Sequence, residues 1–384
     1  MKKEINKFLY FYRFLATVIK MALPKKIQDQ RKDLVDKVVK DIEDGKPFFW
    51  DKGHYGKQPR NLLKAIKGED KYYKGINAMQ LAVAARVNGF KDSRWATFKQ
   101  AEMAGGRVKK GAKGTHIEYW QYTQDVMELN PKTGKKEPVF EVNPDTGERK
   151  KKQVVLEHPI VKSYVVFNGD QIEGIEKEQL PVIKQEDKNR NMENMIKNSE
   201  AKIFFDELSR NYYSSSKDEI HVIPREKFKN LDNFYATVAH EIAHSTGAEG
   251  RLNRETLKNN NGFGNEIYAK EELRAELTSM FLQQRYNVNF DEKHYENHAA
   301  YLQSWAQVIK NDPNEIYRAA ADAEKAMSYI ETRMINKNLT KDKEKSVQKE
   351  MTLENKAPKR IIKQKITMKI DTQKSKSKER TLTR

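Results

Sequence analysis

Apolar residues recur at helical spacing over residues 25–45. Ile27, Leu34, Val35, Val38, Val39 and Ile42 fall on one stripe, and Gly45 supplies a stop. A second helix is expected from Asn77 to Val87, with Met79, Leu81, Ala82 and Ala85 on a mixed face ended by Gly89. A third, short one runs from Trp95 to Met103 and is closed by Gly105-Gly106. The period then changes. Residues 107–167 read as β-rich, with strands at Thr115 to Tyr122, Val154 to Leu156 and Ile160 to Phe167. Inside this region a polar insert carries an imperfect repeat, Asn130-Pro131-Lys132-Thr133-Gly134 and Asn143-Pro144-Asp145-Thr146-Gly147. Both are turn sequences and are expected at exposed hairpin tips.

Periodicity fails over the charged stretch 173–195, which is read as a linker. Residues 196–336 are mostly helical, with Glu219 to Pro224 as the one clear strand. That strand is either scaffold or an edge that pairs with an extended peptide. From 337 onward the pattern decays, as in a disordered tail. The expected division is a 1–24 extension, a 25–172 domain, the 173–195 linker, a 196–336 domain and a 337–384 tail. The fold class is α+β in two domains.

Composition changes this picture in three ways. The net charge of +18 over 384 residues points to an anionic partner, nucleic acid above all. The last 48 residues hold 16 Lys or Arg against 6 Asp or Glu, so the tail carries over half of that excess. The absence of cysteine excludes disulfides and every thiolate metal site, and it fits a reducing, cytoplasmic location. The apolar run from Phe8 to Leu23 is interrupted by Arg13 and Lys20 and leaves no stretch long enough to span a bilayer. It reads as a short helix or a dispensable extension, and no membrane partner is expected.

The candidate chemistry lies in His240-Glu241-Ile242-Ala243-His244. This HExxH sequence sits in a helix-forming segment, with Asp232 or Asn233 as the cap and Gly247 as a left-handed stop. Four residues apart on a helix, His240 and His244 share a face and can meet one metal ion. Glu241, one residue round, can reach a water at that ion without ligating it. Composition alone yields the motif by chance roughly once per hundred such chains. A third ligand is required. No cysteine exists, and the next histidines, His294 and His298, are far along the chain. A carboxylate on the helix Tyr268 to Leu277 is therefore expected. Glu272 is the preferred ligand and Glu276 the acceptor for a histidine N–H, although spacing allows the reverse order. Zinc, one per chain, suits these donors; manganese or cobalt could occupy them too. Tyr268, Arg251 and Arg254 are candidate oxyanion partners.

Residues 47–120 interleave aromatic rings with Lys and Arg, the composition of a single-strand binder in which rings stack on bases and cations track phosphates.

These pieces together resemble the ArdC family of antirestriction proteins. The resemblance rests on Pro47 to Trp50, Pro59-Arg60-Asn61, Tyr73-Lys74-Gly75-Ile76-Asn77, Trp95 to Gln100, Val108 to Gly111, Tyr119-Trp120, Pro159-Ile160-Val161 and Val166-Phe167-Asn168. In the second half it rests on Phe234 to Thr237, the HExxH, Ser245-Thr246-Gly247, Arg251-Leu252-Asn253-Arg254, Phe263-Gly264 and Tyr268 to Leu277. It implies a single-stranded-DNA-binding domain followed by a zincin-like metallopeptidase, carried by conjugative plasmids and protecting incoming DNA from restriction. Carried over, His240, His244 and Glu272 hold zinc and Glu241 is catalytic. The residues expected to contact DNA are Trp50, Arg60, Tyr73, Lys74, Asn77, Trp95, Lys99, Lys109, Lys110 and Lys113. The implied partners are single-stranded DNA and a host restriction protein or other protein as peptidase substrate. The alternative is a DNA-coating module with a structural zinc and no peptidase activity. The chain departs from the family in its polar insert, its apolar extension and its basic tail.

Overall fold

The computed structural model describes residues 23–44, 57–144, 147–178, 184–206, 209–258, 265–288 and 299–336. The aromatic loop with Trp50, most of the extension, Phe263-Gly264 and the basic tail lie outside these residues.

The expected first helix is α1 (Lys25–Glu43), and its stripe Ile27, Val35, Val38, Val39 and Ile42 is buried. After β1 (Arg60–Asn61) and α2 (Leu62–Ile66) comes α3 (Gly75–Asn88), whose C-cap Gly89 takes the left-handed conformation its sequence called for. Trp95 begins no helix: it lies in β2 (Arg94–Ala96), and α4 (Phe98–Met103) follows under a capping box of Thr97 and Gln100. Beyond β3 (Arg107–Val108), β4 (Thr115–Asp125) pairs antiparallel with β9 (Gln153–Asn168), a single 16-residue strand covering both expected segments. The sheet order is β1-β2-β9-β4, with β1 and β2 parallel. A separate pair joins β3 to β10 (Ile172–Glu173).

The polar insert forms two consecutive hairpins, β5 (Met127–Leu129) with β6 (Lys136–Pro138) and β7 (Phe140–Val142) with β8 (Arg149–Lys151). The repeat in sequence is a repeat in structure. Asn130 and Asn143 each accept the N–H of the glycine four residues on, and Gly134 and Gly147 both have positive φ.

The second half opens on α5 (Gln185–Lys197), which occupies the C-terminal part of the stretch read as a linker. Charge hid its buried stripe, since only Met192 and Met195 (with the Lys188 stem) face inward. Three strands follow: β11 (Lys202–Phe205), β12 (Tyr212–Ser214) and β13 (Glu219–Val222). Their order is β11-β13-β12, so the Glu219 to Pro224 segment is the central strand and not an edge. Its backbone groups already pair on both sides and cannot receive a peptide. Then come α6 (Leu231–Ser245), α7 (Glu255–Lys258), α8 (Glu266–Tyr286), α9 (Ala299–Asn311) and α10 (Glu315–Ile330). No helix of the described residues is long and apolar enough to cross a membrane.

The main core does not respect the expected domain division. Val35, Val38, Val39 and Ile42 of α1 and Ala78 and Met79 of α3 belong to the same buried cluster as Ile242, Leu273, Trp305 and Met327. The reason lies in the stripe of α1: the small four-stranded sheet has its own minor clusters, around Leu62 and around Trp95, and α1 instead packs on α9.

Candidate metal centre

Helix α6 carries the HExxH sequence and lies almost wholly inside. Its cap is Asn230, whose side chain accepts the Asn233 N–H, in place of the expected Asp232 or Asn233. It ends at Ser245, and Gly247 serves another need than a left-handed stop. A Cβ there would sit 2.8 Å from the Arg254 guanidinium. The partner helix α8 begins at Asn265, whose side chain accepts from Ile267 and Tyr268, and presents Glu272 and Glu276 one turn apart.

The helices bring the expected residues together. The two Nε2 atoms of His240 and His244 are 3.1 Å apart. Each lies 3.5 Å from an oxygen of Glu272. One ligand atom from each of His240, His244 and Glu272 falls within 4.8 Å of the others. The Nδ1 atoms point the other way, to Glu276 at 3.5 Å for His240 and to Glu271 at 3.3 Å for His244. An imidazole with its proton on Nδ1 turns the Nε2 lone pair inward, so three donors without intervening hydrogens converge on one point. Glu272 sits with the converging atoms and Glu276 behind His240. Glu271, behind His244, was not singled out in the sequence. Its signal was present, because Glu271 is one residue from Glu272 and so can reach the next turn's histidine.

Electrostatics fits a cation. Glu241, Glu271, Glu272 and Glu276 are all buried. Burial opposes charge on every one, yet His244 with His240 holds Glu272 well below the usual carboxylate range. Burial likewise opposes Glu271, but Arg254 and His244 bring it down to about 2. Burial lowers the imidazoles, and the facing carboxylates outweigh it, leaving His240 raised and His244 well above its ordinary value. Glu241 goes the other way: burial raises it, and the histidines only partly compensate. A pocket this rich in negative charge loads protons onto its histidines unless a cation takes their place.

The candidate oxyanion residues divide. Arg254 is buried and donates to Glu271, Thr246 Oγ1 and the carbonyls of Ala243 and His244. Arg251 is paired with Asp218 and donates to the Ser245 carbonyl. Both hold structure. Tyr268 lies half-buried on the first turn of α8.

The expected DNA contacts divide similarly. Trp95 is fully buried, edge-on to Phe90. Tyr73 packs against the core with its hydroxyl towards the Trp95 carbonyl. Asn77 exchanges two hydrogen bonds with the Glu118 backbone. Arg60 is held by Glu178 and Asp70. The Gly75 N–H and the Lys74 ammonium both meet Glu324 of α10. Trp95 and Tyr73 are thus spent in packing, Asn77 and Arg60 in bonds to β4, Glu178 and Asp70, and Lys74 in a pair with α10. Lys99, Lys109, Lys110 and Lys113 are exposed. So are the rings of Phe98 and Tyr119, which fall in the aromatic stretch expected to bind, and of Tyr122 and Tyr164, which lie beyond it.

Fold and site together define a zincin-like metallopeptidase unit joined to a mixed α/β unit. Residues 190–322 match the zincin-like metallopeptidase family MPTase-PolyVal, and residues 28–167 match the N-terminal domain of anti-restriction factor ArdC. The chain therefore joins an ArdC-type N-terminal domain to a zincin-like metallopeptidase domain. Its structure is similar to crystal structures of the antirestriction protein ArdC from plasmid R388, one metal-free and one Mn(II)-bound. Identities are 28% and 27% and TM-scores 0.57 and 0.58, over 79% of this chain and 97% of those. It is 38% identical over 285 residues to a DNA primase TraC of Escherichia coli, across 73% of this chain. It spans only a quarter of that relative's length and 19% of a second TraC. An uncharacterized protein y4eC of Sinorhizobium fredii is 25% identical over 68% of this chain and 78% of its own length.

Proposed function

We propose that this chain is an antirestriction protein of a conjugative element, which holds single-stranded DNA on its N-terminal unit and hydrolyses a protein substrate at one zinc ion bound by His240, His244 and Glu272. The observation that carries the peptidase reading is the convergence of both Nε2 atoms and Glu272 beside a buried Glu241. The bound ion supplies Lewis acidity, which polarises a carbonyl and lowers the pKa of a water towards neutrality. Glu241, its carboxyl raised by burial, accepts a proton from the attacking water and returns it to the leaving amine. Glu276 accepts from His240 Nδ1 and fixes that ring. That a similar ArdC structure is Mn(II)-bound supports the reading of a divalent ion.

The DNA reading rests on Lys99, Lys109, Lys110 and Lys113 around the turn between α4 and β4, with the exposed Phe98 ring beside them and Tyr119 and Tyr164 further along the ribbon. Cations that track phosphates and rings that stack on bases give affinity with little base readout. The test is a single-strand titration across salt, on the full chain and on a chain ending at 336, together with conjugative protection by Glu241→Gln. The expected results are a steep salt slope that survives truncation and protection lost in the variant. Binding that vanishes with the tail refutes the DNA reading, and protection intact in Glu241→Gln refutes the peptidase.

A further inference from the structure

Two motifs in the second half have no place in that chemistry: Ser245-Thr246-Gly247 and Arg251-Leu252-Asn253-Arg254. The structure folds one onto the other. The Leu252 N–H donates to Thr246 and the Arg254 N–H to Gly247, which turns the chain straight back under the end of α6. There the Arg254 guanidinium closes the last turn through the carbonyls of Ala243 and His244 at 2.9 and 3.2 Å and Thr246 Oγ1 at 2.7 Å. The same guanidinium also reaches Glu271, Nη2 to Oε1 at 2.5 Å and Nε to Oε2 at 3.1 Å. Thr256 Oγ1 donates to the same carboxylate at 2.5 Å. Glu271 Oε1 then faces His244 Nδ1.

We infer that Arg254 and Glu271 are positioning residues that hold His244 in the one tautomer and orientation in which its Nε2 meets His240 and Glu272. The inference rests on the reading of those three residues as metal ligands. Arg254 and Thr256 fix both oxygens of Glu271, and its Oε1 lies 3.3 Å from His244 Nδ1, so the carboxylate is set to accept from that nitrogen and leave Nε2 for the centre. Gly247 is part of the device, because any Cβ there displaces the guanidinium.

The test uses the full chain and a chromophoric chelator competing for Zn2+. Glu271→Gln and Gly247→Ala are each expected to weaken zinc binding about 10- to 100-fold, the usual effect of disturbing a ligand's hydrogen-bond partner. Thermal unfolding in excess chelator reports whether each variant folds. A folded variant of either kind with wild-type zinc affinity overturns the inference. A wild-type chain that binds no divalent ion overturns the ligand reading itself. A third measurement needs no variant: in zinc-loaded protein with nitrogen-15 histidine, the His244 proton is expected on Nδ1, and finding it on Nε2 overturns the inference.

Discussion

Arg31 offers the sharpest test of how the two units are joined. It lies on α1, its side chain is 11% exposed, and its guanidinium forks onto Glu118 of β4 at 2.8 and 2.7 Å. A third donor reaches Asn314 at 2.8 Å, and the Tyr317 ring centroid lies 4.0 Å away. Arg31→Met keeps the apolar stem and removes every one of these contacts. Glu118 is then left as a buried carboxylate with the Trp120 indole as its remaining side-chain donor. Breaking such a pair costs about 3–5 kcal/mol, most of it the stranded charge. The ring contact adds about 1 kcal/mol of its own, within that range. Adding Glu118→Gln to Arg31→Met replaces the stranded charge by a neutral amide and is expected to recover about 1–3 kcal/mol. The assay is urea unfolding at neutral pH followed by tryptophan fluorescence, where a lower midpoint at constant slope reports stability. An Arg31→Met cost below about 1 kcal/mol, or a double variant no more stable than the single, refutes the argument.

Trp95→Ala is expected to destabilise by about 3–5 kcal/mol, while the folded fraction retains single-strand affinity because the ring is buried; selective loss of DNA binding at unchanged stability would reverse that assignment. Replacing Lys109, Lys110 and Lys113 together by Ala should flatten the salt dependence of single-strand binding by about 2 in log–log slope, and an unchanged slope would remove these lysines from the DNA face. Burial raises the Glu178 carboxyl, but the Ser93 N–H and hydroxyl and Arg60 outweigh it and hold its pKa below the ordinary 4.5. A carboxyl lowered by folding contributes stability that is full above the unfolded value and lost as pH falls through the folded one. Glu178→Gln should therefore reduce the loss of stability as pH falls below the ordinary 4.5; acid sensitivity equal to wild type would contradict the Glu178 contribution.

The metal centre was legible because its signal is local. A four-residue spacing on a helix places two imidazoles regardless of tertiary detail, and the absence of cysteine narrowed the third ligand to the carboxylates of one helix. The α1 stripe and the repeated Asn–Gly turns were legible for the same reason. What failed was everything decided across the fold. Trp95 and Tyr73 have the composition of stacking residues, yet a ring's role depends on what lies on its other face. The segment Glu219 to Pro224 shows β-formers in alternation, which identifies a strand but not its neighbours. Arg254 was a candidate for catalysis from its charge and position, and only the fold shows its donors already committed to Glu271 and the end of α6.

The shared core gives the chain a different logic from two beads on a linker. α1 precedes the sheet unit in sequence but buries Val35, Val38, Val39 and Ile42 among residues of α9 and its neighbours. The Gly75 N–H, at the start of α3, is satisfied by Glu324 of α10. A fragment ending at residue 178 would expose both surfaces and leave that N–H without its acceptor. Burial of a large aliphatic side chain contributes about 1.5–3 kcal/mol. The four α1 residues alone therefore represent about 6–12 kcal/mol, comparable to the whole stability of an ordinary domain. The fragment is expected to be aggregated or unfolded by circular dichroism and gel filtration, whereas residues 23–336 should give one cooperative transition. A monomeric, cooperatively folding fragment would show that the sheet unit stands alone and that α1 can be satisfied without the metal-binding helices.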